Sequence, residues 1–139
     1  MFSVPTKTQY GIRALVHMAR IDASSSAPSA SQASAEIARA EGIPSKYLEG
    51  ILVQLKTAGL VLSERGKKGG YRLAKPASEM RMIEIVEALE GEVKPVGCLD
   101  DVGVCAQGDC CLPRVFWVGL KDAIDGYLGS RTLSDVIEG

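Results

Sequence analysis

The stretch GCLDDVGVCAQGDCCL, Gly97 to Leu112, holds all four cysteines of the chain: Cys98, Cys105, Cys110 and Cys111. Thiols gathered in one glycine- and aspartate-bearing loop have three main uses. They can ligate a metal, work as a redox pair, or form structural disulfides, and the last use belongs to oxidising compartments. No apolar run approaches the ~20 residues of a membrane span. The opening MFSVPTKTQYGIRAL lacks the basic flank, apolar block and small-residue cleavage site of a secretory signal. The sequence therefore points to a cytoplasmic protein with reduced thiols and no membrane partner, so metal binding or redox chemistry is favoured over disulfides. An enzyme finds little support. There is no Cys-x-x-Cys at a helix start, P-loop, Gly-x-Ser-x-Gly or His–carboxylate set, which makes a thiol oxidoreductase the weakest reading.

Charge divides the chain. Residues 43–75 carry seven Lys/Arg against two Glu, and residues 76–139 carry five Lys/Arg against twelve Asp/Glu, within a net charge of −1. A basic segment in a near-neutral protein suggests a focused contact with a polyanion.

The elements around the basic segment say which polyanion. In TQYGIRALVHMARI, Tyr10, Ala14, Leu15, Met18 and Ile21 recur at helical spacing, with Thr8 as candidate N-cap. DASSSAPSASQAS reads as a loose connection. SAEIARAEGIPSKYLEGILVQLKTAGLV reads as two helices broken at Gly42, with Pro44 and Ser45 opening the second and Gly59 closing it. The second helix has an apolar stripe of Tyr47, Leu48, Ile51, Leu52 and Leu55, with Lys46, Glu49, Gly50 and Gln54 off it. That is a helix-turn-helix. LVLSERGKKGGYRLA follows as a hairpin, placed as a wing. SEMRMIEIVEALEGE predicts a helix with Met82, Ile83, Val86 and Leu89 on one side and Glu84, Glu87 and Glu90 on the other. Pro113 opens a long helix striped by Phe116, Leu120, Ile124, Tyr127 and Leu128 and widened by Trp117. TLSDVIE adds a last turn capped by Thr132 or Ser134.

The expected fold is mainly α with a small β-hairpin. Residues 1–91 form a winged helix-turn-helix domain, 92–112 a cysteine-rich loop, and 113–139 a dimerisation helix and tail. Double-stranded DNA is the expected partner. A helix fits the major groove and reads base edges from its N-terminal end, which nominates Ser45, Lys46, Tyr47 and Glu49. Lys46 suits guanine or phosphate and Glu49 suits cytosine N4, while the Tyr47 ring could instead belong to the core. The wing supplies Arg65, Lys67, Lys68 and Arg72 for phosphates or a narrow minor groove.

YGIRAL, EIARAEGIPSKYLEGILVQLKTAGLV, RGKKGGYRLAKP and IEIVEALEG together resemble the Rrf-two family of bacterial transcription regulators, the group with the IscR and NsrR types, over nearly the whole chain. The resemblance implies a homodimer on a pseudo-palindromic operator, joined through the long helix at Phe116, Trp117, Leu120, Ile124, Tyr127 and Leu128. It places Lys46, Tyr47 and Glu49 where base-reading residues sit, and Arg65 where a minor-groove arginine sits. Many members hold an iron–sulfur cluster on three cysteines before that helix, the third in a Cys-Leu-x-x-x-aromatic pattern. Through CLPRVFW this implies Cys98, Cys105 and Cys111 as ligands, with Cys110 as alternative or fourth. Gly97, Gly103 and Gly108 suit a loop that wraps a cluster. Arg114 stands where some members carry a ligating histidine and Gln9 where others carry an aspartate. The fourth ligand is thus open among Cys110, Asp109, Gln9, His17 and an exogenous molecule, and the cluster between 2Fe-2S and 4Fe-4S. A zinc site, a metal-free thiol–disulfide switch and a small-ligand-responsive regulator of the same fold stand beside it.

Salt dependence tests the wing. Replacing both Lys67 and Lys68 by alanine is expected to weaken operator binding and to lower the log–log salt slope by about one per lysine. A slope unchanged between wild type and variant in a salt titration refutes the phosphate role.

Overall fold

A computed structural model of the chain describes residues 3–24, 31–66, 69–96 and 112–139. Among these, six α-helices, a two-stranded hairpin and one 3-10 turn run in the order α1 (Thr6–Ser24), α2 (Ser34–Glu41), α3 (Ser45–Thr57), β1 (Val61–Glu64), β2 (Gly70–Leu73), the 3-10 turn Ala77–Glu79, α4 (Met82–Glu90), α5 (Leu112–Ser130) and α6 (Leu133–Glu138). The expected fold class, mainly helical with a small antiparallel hairpin, is the one found.

One core joins these elements. Leu15, Met18, Ile37, Leu48, Ile51, Leu52, Leu55, Val61, Met80, Ile85 and Leu133 are all buried. Side chains of this kind each stabilise a fold by roughly 1.5–3 kcal/mol when fully buried. α1 is central, packing on α2, α3, α4 and α6. Gly11 explains how it comes so close. A Cβ at that position would lie 2.5 Å from Leu89 Cδ1 and 3.4 Å from Ile51 Cγ2.

Thr8 is not a cap. α1 begins two residues earlier, and the buried Thr8 hydroxyl donates to Glu90 Oε1 at 2.5 Å, tying α1 to the end of α4. Ile21, expected on the apolar stripe, is 42% exposed near the end of α1. The buried face of α4 is also rotated from the expected one. Met82, Ile85 and Leu89 are buried, whereas Ile83 and Val86 are half-buried.

The helix-turn-helix break is as expected. Gly42 takes the left-handed conformation (φ 66, ψ 36) and donates its N–H to the Ala38 carbonyl. α3 then starts after Pro44. β1 and β2 pair antiparallel in the register Val61↔Leu73, Leu62↔Arg72, Ser63↔Tyr71 and Glu64↔Gly70. The serine- and alanine-rich connection does more than link. Gln32 exchanges both backbone hydrogen bonds with Tyr71, at 2.8 and 2.7 Å, and so backs the wing with a third short segment. Gly70 makes this possible. Its φ is 155, and a Cβ there would collide with the Gln32 carbonyl.

The chain end also returns to the core. Thr132 and Asp135 cap α6 reciprocally, the Asp135 N–H reaching Thr132 Oγ1 at 3.3 Å and the Thr132 N–H reaching Asp135 Oδ2 at 2.8 Å. The Met82 N–H donates to the Arg131 carbonyl and the Leu133 N–H to the Met80 carbonyl, both at 2.8 Å. Leu133 is thereby seated beside the 3-10 turn and α1. α5 lies against α4.

Lys75, just past β2, reaches Glu84 Oε1 at 2.8 Å, and Glu84 also accepts the Arg81 N–H at 2.8 Å. The Lys75 hydrogen bond, aided by the Arg81 amide and opposed by burial, holds the Glu84 carboxyl below its ordinary value of 4.5.

Two measurements check these contacts. Gly70→Ala is expected to cost about 2 kcal/mol in a urea titration, from backbone strain together with the lost Gln32 contact. A cost within error of zero would show the bridge to be dispensable. Because folding makes Glu84 the stronger acid, its contribution is complete above pH 4.5 and is lost as pH falls through the lower folded-state value. Wild type is therefore expected to lose stability below pH 4.5 more steeply than Glu84→Gln. Parallel pH curves would remove the Lys75–Glu84 pair from the account.

Candidate nucleic-acid interface

α3 divides cleanly at 100° per residue. Leu48, Ile51, Leu52 and Leu55 face the core, and Ser45, Lys46, Glu49, Gly50, Val53 and Gln54 are exposed. Tyr47 lies between the two faces. It is 41% exposed, so its ring is not part of the core stripe. It meets Tyr10 of α1 edge to face, with centroids 5.5 Å apart and planes at 83°. The Arg13 guanidinium covers the Tyr10 ring at 5.8 Å.

The same side of α1 fixes the end of α2. Arg13 donates to the Glu41 carbonyl and lies 3.6 Å from its carboxylate, while His17 Nδ1 lies 3.2 Å from Glu41 Oε2. Glu41 is the last residue of α2, four residues before α3. Sequence reasoning does not single out the supporting set of Tyr10, Arg13, His17 and Glu41. The available signal is the spacing of Tyr10 and Arg13, three apart and hence on one helical face.

On the wing, Arg72 donates through Nε to Glu64 Oε1 at 2.8 Å, so its charge is partly answered within the hairpin. Arg65 is exposed just beyond β1. Lys46 and Arg65 form no ion pair with a described residue. Lys67 and Lys68 lie outside the described residues. The described structure therefore brings Ser45, Lys46, Tyr47 and Glu49 together on the first two turns of α3, with Arg65 and Arg72 on the hairpin that follows. Exposed donors, an exposed carboxylate and cations without a described partner can meet base edges and phosphates.

Cys98, Cys105, Asp109, Cys110 and Cys111 lie outside the described residues. Among the described residues no three His, Cys, Asp or Glu converge as a metal site would require. Of the other candidate ligands, Gln9 donates its amide to the Val4 carbonyl at 2.7 Å and His17 is engaged by Glu41. Both borders of the cysteine stretch are described. Before it, Glu92 Oε1 meets Lys121 Nζ of α5 at 3.1 Å, and that ammonium also meets Asp125 Oδ2 at 2.5 Å. The two carboxylates, Asp125 foremost, raise the Lys121 pKa. After it, Arg114 in the first turn of α5 has its Nη1 buried with no hydrogen-bond partner among the described residues.

On α5, Phe116 and Tyr127 are 66% and 62% exposed, Trp117, Leu120 and Ile124 are half-buried, and Leu128 packs on the core of its own chain. Phe116 and Trp117 meet edge to face at 5.0 Å. No helix among the described residues is long and apolar enough to cross a membrane.

Known proteins share this arrangement. Residues 4–139 match the family model described as Rrf2, iron-dependent transcriptional regulator. The chain is 39% identical over 103 residues to the HTH-type transcriptional regulator IscR of Photorhabdus laumondii, covering 74% of the chain and 62% of that relative's length. It is 33% identical over 132 residues to IscR of Cronobacter sakazakii, covering 95% of the chain and 78% of the relative. Among solved structures it resembles CymR, the global cysteine regulator of B. subtilis, with a TM-score of 0.79 at 29% identity over 99% of this chain and 98% of that one. It also resembles T. potens IscR, with a TM-score of 0.76 at 28% identity over 99% and 87%. The α3 face, the wing and the family match agree: this chain is a winged-helix transcription regulator, not an enzyme, and it belongs to the Rrf2 family.

Proposed function

We propose that this regulator is a homodimer whose affinity for a pseudo-palindromic operator is set by an iron–sulfur cluster on Cys98, Cys105 and Cys111, with Cys110 as alternative or fourth ligand. Ser45, Lys46, Tyr47 and Glu49 read bases. Arg65, Lys67, Lys68 and Arg72 meet the backbone and minor groove. The exposed flank of α5 at Phe116 and Tyr127, together with Trp117, Leu120 and Ile124, forms the dimer seam. A two-fold axis there would set the two α3 helices for half-sites about 34 Å apart.

The observation that carries the cluster reading is the Arg114 nitrogen beside the thiol stretch, buried and without an acceptor among the described residues. A buried guanidinium N–H left without an acceptor is costly, and thiolates or sulfide are acceptors of the right charge. Four thiols in one loop supply the donor set, and the iron-dependent description of the matching family supports iron over zinc. When bound, the cluster would supply a group sensitive to oxidants, nitric oxide or iron–sulfur supply. The chain's own residues do the rest. Lys121 holds Glu92 against α5 at one border of the loop, and Arg114 offers its N–H at the other. The likeness to CymR, of which an oxidized form has been solved from Staphylococcus aureus, favours a second reading, in which the thiols respond without metal as a disulfide switch.

Anaerobic purification, an absorption spectrum and an iron and sulfide count decide between them. Wild type is expected to be coloured. Cys98→Ala and Cys105→Ala are expected to lose the chromophore while eluting as dimers in size-exclusion chromatography. Wild-type protein that stays colourless after reconstitution with iron and sulfide, yet changes DNA affinity on oxidation, would favour the disulfide switch.

A further inference from the structure

The outermost line of α3 carries two residues that folding does not explain. At 100° per residue, Lys46, Gly50, Val53 and Thr57 fall within about 60° of one another, opposite Leu48 and Leu55. Val53, in the middle of that line, is 53% exposed, and the four residues of the core stripe on the other side are at most 1% exposed. An apolar branched side chain thus stands on the side of the helix turned away from the core, and branching at Cβ does not favour a helix. One turn earlier, Gly50 is exposed, and a methyl group built there would meet no heavy atom within 4 Å. Glycine weakens a helix interior relative to alanine. Folding alone would place alanine at 50 and a polar residue at 53.

We infer that Gly50 and Val53 form a thymine-reading surface: the bare backbone at Gly50 lets α3 lie close in the major groove, and the Val53 isopropyl group packs on a thymine 5-methyl. Of the groups that base edges present in the major groove, the thymine methyl is the apolar one. Val53 is the apolar side chain at the centre of a face whose other members, Lys46 and Glu49, suit acceptors and donors. Lys46 and Val53 are about 10 Å apart along the axis at 1.5 Å per residue. The thymine therefore lies within about three base pairs, at 3.4 Å each, of the base or phosphate that Lys46 meets. This assignment rests on the base-reading role of α3 proposed above and adds the identity of one base to it.

The test uses the full-length dimer and the operator duplex that it selects from random DNA. Each thymine is replaced in turn by deoxyuridine, which removes the methyl and nothing else. At one position per half-site the replacement is expected to weaken wild-type binding about fourfold, the worth of one buried methyl-sized group. Val53→Ala is expected to lose a similar factor on the parent duplex and to be indifferent to deoxyuridine at that position. Gly50→Ala is expected to raise the thermal midpoint yet weaken operator binding, and Gly50→Gln to weaken it further. The inference is overturned if every deoxyuridine duplex binds like the parent. It is also overturned if Val53→Ala binds unchanged, as it would were Val53 a protein-docking residue, or if Gly50→Ala gains stability at no loss of affinity. Selection that recovers no duplex would remove the base-reading role of α3 itself. Tight operator binding indifferent to the methyl removes only the thymine assignment.

Discussion

The outer face of α3 can be offered to a partner because its inner face is held by α1, and α1 gets close enough only through a missing side chain. Gly11 lets the helix axis approach Leu89 of α4 and Ile51 of α3 at the same level. Two polar ties then stop α1 from sliding or rolling on that contact: Thr8 to Glu90 at one end, and Arg13 with His17 to Glu41 further along. Magnitudes separate their roles. The Arg13 side chain is 50% exposed, and a pair so exposed contributes about 0–1 kcal/mol. Each core leucine or isoleucine contributes roughly 1.5–3 kcal/mol. Burial supplies the stability and the ion pair supplies the angle. That angle matters because Glu41 ends α2 and Tyr10 meets Tyr47, so the turn of the motif and the first turn of α3 are referred to one helix.

Charge pairing refines this picture. Several cations of the described surface are answered within the protein: Lys75 by Glu84, Lys121 by Glu92 and Asp125, Arg72 by Glu64. Lys46 and Arg65 have no such partner among the described residues, and they stand on α3 and the wing. A chain of net charge −1 can still attract a polyanion when exposed positive charge stands on α3 and the wing and excess acid lies on α4 and α6. The acidic half also discourages DNA from settling on the wrong face.

Much of this is legible in the sequence, and the failures share a cause. Gly42, Pro44 and Gly59 mark their breaks because backbone conformation there is decided locally, and the α3 stripe follows from its period. Thr8 misleads because the local cap rule carries no knowledge of Glu90, eighty-two residues away. Ile85 escapes the pattern because in IEIVEAL apolar residues lie on more than one side of the helix, so the period alone does not choose the face. Gln32 has no β-pattern of its own. It pairs because Gly70 leaves its edge open, a fact visible only once the wing is built. Val53 is hidden for a related reason. Its sequence neighbours Ile51, Leu52 and Leu55 belong to the core, and the packed structure is what shows Val53 itself to be 53% exposed. The residues proposed to read bases are legible as a set because their position in the motif fixes them. Their supports are not, since Tyr10 and Arg13 act across the fold.

The position of the thiol stretch in the chain has a mechanical consequence on the proposed reading. The chain leaves α4 at Gly91, is fastened to the middle of α5 by Glu92 and Lys121, and re-enters at Leu112, the first residue of that helix. Lys121 and Leu112 are about 13 Å apart along α5, so the borders of the stretch bracket the half of the helix that carries Phe116 and Trp117. Anything that changes the preferred span between those borders acts on the part of α5 assigned to the dimer seam. α5 packs on α4, and α4 on α1 and α3. The seam and the reading helix are thus joined through packed side chains with little freedom to deform independently. A ligand moves such an assembly only by its differential affinity for two arrangements, and about 1.4 kcal/mol of difference is a tenfold change in operator affinity. That is less than one buried leucine contributes, so a regulator of this size can switch without unfolding any part of its core.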